Sequence, residues 1–151
     1  MAIDPVIELV ETMRGLDDRM DAGTWDALGD AAQADYLGKL TQVKCLYAAL
    51  LDAVPTSVMG AGELLRLAAQ RLPFAHARSA AHLKCIAGRL CEGRRRHADL
   101  VWLRDFADRI AVAAPADKRL ATMLNHAIAG ASRPVLVWRA VPRPNIQREQ
   151  A

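Results

Sequence analysis

The sequence is short of the residues that build sheets. Aromatic residues are 5% of the 151, with two tyrosines and two phenylalanines, and isoleucine and threonine are sparse. A sheet of any size has too little material. Long apolar runs are missing too: no stretch approaches the roughly 18 residues of a membrane span. The start, Met1-Ala2-Ile3-Asp4-Pro5 with acids close behind, has neither the basic opening nor the apolar run of a signal peptide. Cysteine is limited to Cys45, Cys85 and Cys91, an odd number without the spacing of a disulfide framework. These absences predict a soluble, cytoplasmic chain with free thiols and no membrane partner.

Catalytic signatures are absent as well. Gly-x-Ser-x-Gly, Cys-x-x-Cys, His-Glu-x-x-His and glycine-rich phosphate loops do not occur. His76, His82, Cys85, Cys91 and His97 are the residue types that bind zinc, but on one helix Cys91 falls roughly opposite His82, so the set does not converge. Met59-Gly60-Ala61-Gly62 reads as a small-residue helix start suited to close packing. No cofactor, no metal and no enzymatic activity are expected.

What the chain has is alanine, leucine and arginine. Arginines number 16 against 4 lysines, a bias that suggests a GC-rich bacterial genome. Hydrophobic residues are 52% of the total, and the length suffices for one core without staples. Net charge is +3, but residues 1–75 carry 11 acids and 6 bases while residues 76–151 carry 6 acids and 14 bases. Such a division separates two faces, favours head-to-tail self-association or marks a basic surface.

Apolar spacing predicts helices throughout. Asp4-Pro5 supplies a cap and a first-turn proline for a helix with Val6, Leu9, Met13, Leu16 and Met20 on one face, ending near Gly23. Thr24 can cap a short helix carrying Trp25 and Leu28. From about Asp30 a longer one aligns Tyr36, Leu40, Val43, Tyr47, Leu50 and Val54 before Pro55. Further helices follow with Leu64, Leu65, Ala68 and Leu72 up to Pro73, then Leu83, Ile86, Ala87 and Leu90 up to Gly93. The last two carry Leu100, Leu103, Ala107 and Ile110, and Leu120, Met123, Leu124, Ala127 and Ile128 up to Gly130. The expectation is an all-α, single-domain bundle of about five or six helices over residues 1–131, with the stripes of 6–20 and 36–54 at its centre. Residues 132–151, with three prolines, form an extended tail that packs Leu136 or Trp138 onto the bundle or onto a partner.

Three binding readings follow. The first is a non-enzymatic protein-interaction or regulatory module, self-association included, using Trp102, Phe106, Leu136 and Trp138. The second is nucleic-acid binding through a basic patch of Arg89, Arg94, Arg95, Arg96 and Arg104, whose forked donors suit phosphate. The third is a phosphotransfer or small-ligand bundle. Ser79-Ala80-Ala81-His82-Leu83-Lys84-Cys85 resembles, over about five residues, the phosphoacceptor segment of histidine phosphotransfer domains, which implies His82 as phosphoacceptor. In that family the lysine stands three residues after the histidine. Here Lys84 stands two after, roughly 200° around the helix. Cys45 and Cys85 are expected to be small buried hydrophobes.

Overall fold

A computed structural model describes residues 3–19, 29–113 and 117–133. Six α-helices account for nearly all of them: α1 (Pro5–Arg19), α2 (Asp30–Asp52), α3 (Val58–Arg71), α4 (Ala77–Cys91), α5 (His97–Ala113) and α6 (Lys118–Ala131), with a 3-10 turn at Phe74–His76. No strand occurs among the described residues. The fold is an all-α bundle. The short helix expected at 24–28 and the tail beyond Arg133, with Leu136 and Trp138, lie outside the described residues.

Local chemistry explains the boundaries. Asp117 caps α6 by accepting from the Leu120 amide at 3.1 Å. Gly93, at φ +76°, takes the left-handed conformation that ends α4. Asp4 caps α1 by accepting from the Val6 amide at 2.9 Å, and Ser57 caps α3 through the Gly60 amide at 3.0 Å.

The hub of the bundle is α3, not the expected pair α1 and α2. It packs most extensively on α4 and α6 and also on α1, while α6 bridges to α5 and α2. Small residues put it there. A Cβ on Gly62 would stand 2.7 Å from the Cys91 amide nitrogen and 2.8 Å from the Ala87 oxygen, so only glycine lets α4 come this close. Gly130 has the same role against Pro55, where a Cβ would approach to 2.5 Å. The helix stop expected at Gly130 falls within one residue of the end of α6 at Ala131.

At 23 residues α2 is about 34 Å long, whereas α3 and α6, at 14 residues each, span about 21 Å. The longer helix has more length than its neighbours can cover. From Asp30 to Ala49 no α2 residue is buried, and of its predicted stripe only Leu50 is, with Leu51 beside it.

Candidate docking surface

The predicted basic patch is dispersed among structural duties. Arg89 forks onto Asp99, with Nε to Oδ2 at 2.8 Å and Nη2 to Oδ1 at 2.7 Å, tying the end of α4 to the first turn of α5. Donating to that carboxylate raises the Arg89 pKa against the opposing effect of burial. Arg95 donates to the Ala131 carbonyl at 3.1 Å and also to that of Arg133, so it satisfies the open C-terminus of α6. Arg104 donates to Ser132 Oγ at 3.3 Å, and Arg94 pairs with Glu92. Of the five, Arg96 alone has an exposed side chain with no partner among the described residues.

The aromatic candidates also point inward. Phe106 is buried, against the expectation of an exposed anchor, and stacks on half-buried Trp102 with centroids 4.9 Å apart. The exposed His82 meets the Trp102 ring edge-on at 4.4 Å, so the α5 aromatics cover the flank of α4. The thiols correct the sequence reading in the same way. Cys45 and Cys85 are exposed, while half-buried Cys91 is pushed up to about 11 by burial and by Glu63 nearby. Among the described residues no group of histidine, cysteine and carboxylate side chains could hold a metal ion.

What the structure brings together instead is a groove between α1 and α2 of about 510 Å³, lined by Thr12, Leu16, Thr41, Gln42, Cys45 and Leu46. Sequence reasoning missed it. Thr12, Thr41, Gln42 and Cys45 lie on the polar side of their helices, and only the crossing of α1 over α2 makes one surface of them. A smaller cleft of about 190 Å³ lies where α1, α3 and Cys91 meet. It is flanked by the ion pair of Arg14 with Glu63 at 3.2 Å.

Charge sorts by element once the ion pairs are set aside. On α1 and α2 the exposed side chains without an ion-pair partner among the described residues include the acids Glu8, Glu11, Asp17, Asp30 and Asp52, with Lys44 the base. From α4 onward they are Arg78, Lys84, Arg95, Arg96, Arg104, Lys118, Arg119 and Arg133, with Asp108 the acid. The charge division of the sequence is therefore a division of the surface.

Comparison with family models, with curated proteins and with solved structures finds no match. No helix among the described residues is long and apolar enough to cross a membrane.

Proposed function

We propose that this protein is a non-enzymatic interaction or regulatory module that docks another polypeptide in the α1–α2 groove. The observation that carries the reading is the groove itself, a concave surface with Leu16 and Leu46 in its lining on the acidic pair of helices. That combination suits an apolar side chain flanked by basic residues. The engagement of four of the five patch arginines within the fold favours this over the nucleic-acid reading. The bacterial cytoplasm is the proposed location, supported by the arginine-rich, alanine-rich composition and by exposed thiols that suit a reducing compartment.

A photo-crosslinking amino acid in place of Gln42, in the groove's lining, tests the reading. Irradiation is expected to attach a discrete polypeptide, and Thr41→Trp, which fills the groove, is expected to abolish the adduct. An adduct pattern indifferent to Thr41→Trp overturns it.

Nucleic-acid binding has one observation of its own, the unpaired cations of α4 to α6. Weak, salt-sensitive retention of duplex DNA that falls with Arg78→Ala and Arg119→Ala would support it. Retention unaffected by both would end it.

A further inference from the structure

We infer that the occupant of the α1–α2 groove is a second copy of this chain, and that the element it inserts is the Phe74 corner between α3 and α4. The inference rests on the reading of the groove as a protein-docking surface and names its partner.

Phe74 is 94% exposed, the most exposed large hydrophobic residue described. It is also held firmly. The 3-10 turn fixes its backbone through the His76 amide on the Pro73 carbonyl at 2.9 Å and the Ala77 amide on the Phe74 carbonyl. The backbone that presents the ring is thus preorganised, and little of its freedom remains to be lost when the ring docks.

Cations gather at the same end of the bundle. Arg78 stands one helical turn beyond Phe74. Arg71, three residues before it, reaches Asp117 at 3.5 Å, which brings the start of α6, with exposed Lys118 and Arg119, beside the corner. No carboxylate in that group is unpaired, since Asp117 is held by Arg71 and by the Leu120 amide.

The groove supplies the complement. Leu16 and Leu46 give it apolar lining. Glu8 lies one turn from Thr12 on the same side of α1, and Asp52 lies two turns beyond Cys45 on the same side of α2. The one unpaired base there, Lys44, lies about 100° around α2 from Cys45. A basic-rimmed aromatic knob and an acidic-rimmed apolar groove on one molecule fit between copies.

Knob and groove are different surfaces, so the contact is heterologous. Each copy that joins leaves one knob and one groove free. Screening of the charged rims weakens the contact as salt rises.

Analytical ultracentrifugation decides the matter with three full-length proteins. For the wild type, the average mass is expected to rise with protein concentration at low salt and to fall at high salt. Phe74→Ala and Thr41→Trp, both at exposed positions and both checked for unchanged circular dichroism, are each expected to be monomeric, with association weakened at least about thirtyfold. Mixed in equal amounts they are expected to form a heterodimer and nothing larger, because the first retains its groove and the second its knob.

A wild type that stays monomeric at low salt and high concentration overturns the inference. So does Phe74→Ala that associates like the wild type, or a mixture that stays monomeric. If the inference fails while Thr41→Trp still abolishes the cross-link from position 42, the groove docks a different polypeptide. If both fail, so does the reading beneath them.

Discussion

Asp4 serves two helices with one carboxylate. Oδ1 caps α1, while Oδ2 accepts from the Thr56 amide at 3.0 Å, from the Ser57 amide at 2.8 Å and from the Ser57 hydroxyl, at the threshold of α3. The first half of this was legible in Asp4-Pro5. The second was not, because it joins residues more than fifty positions apart. Asp4→Ala is expected to cost about 3 kcal/mol in urea unfolding, as one cap and several buried amides lose their acceptor. Gly60→Ala acts on the same spot, since its Cβ would fall 2.1 Å from Asp4 Oδ2. In the Asp4→Ala background it should cost far less than in the wild type, a coupling that a double-mutant cycle reads directly. Cysteine chemistry separates in the same way. Cys45 and Cys85 are expected to react readily with a disulfide reagent in the native protein, and Cys91 slowly. Because burial raises the Cys91 pKa above the ordinary thiol value of 9.0, the stability it contributes is complete below that pH and is lost as pH climbs through about 11. The unfolding midpoint of the wild type should therefore fall towards that of Cys91→Ala over this range.

At the scale of elements, helix positions were legible because apolar spacing and punctuation agree. Asp30, Pro55, Pro73 and Gly93 mark boundaries that the structure keeps within a few residues. Centrality was not legible, because a regular stripe reports what a helix can bury and not what its neighbours are long enough to cover. The stripe of α2 is the longest in the chain, yet α3 became the hub through glycine and alanine, residues that weigh little in an apolar count. The difference is measurable. Leu50→Ala is expected to cost about 2–5 kcal/mol, whereas Leu37→Ala, at a residue 51% exposed, should stay within about 0.5 kcal/mol. The arginines show the same limit. Arg94-Arg95-Arg96 is a run in sequence, but Arg95 belongs to the end of α6, and Arg95→Ala should lower stability by about 1 kcal/mol while Arg96→Ala leaves it unchanged.

Across the whole molecule, protection should follow burial. Amide hydrogen exchange is expected to be slowest in the middle of α3, around Leu64, Leu65 and Ala68, none of which is exposed at all, and fastest among the helices in residues 30–44 of α2. Uniform protection along α2 would mean that its uncovered turns have a partner in solution. The groove shows why the candidate site was harder to find than the fold. It sets Leu16 and Leu46 beside Thr12, Thr41 and Gln42, polar residues that a periodicity argument discards as solvent-facing.

Gly60, Gly62 and Gly130 share one property: a single added methyl at each has nowhere to go. Leucines in the core can exchange volume with one another, so many combinations of large side chains would fill the same space. In a library of random variants selected for folding, the leucine positions should therefore drift while these three positions stay invariant. At these three positions the absence of a side chain is what the sequence is least free to change.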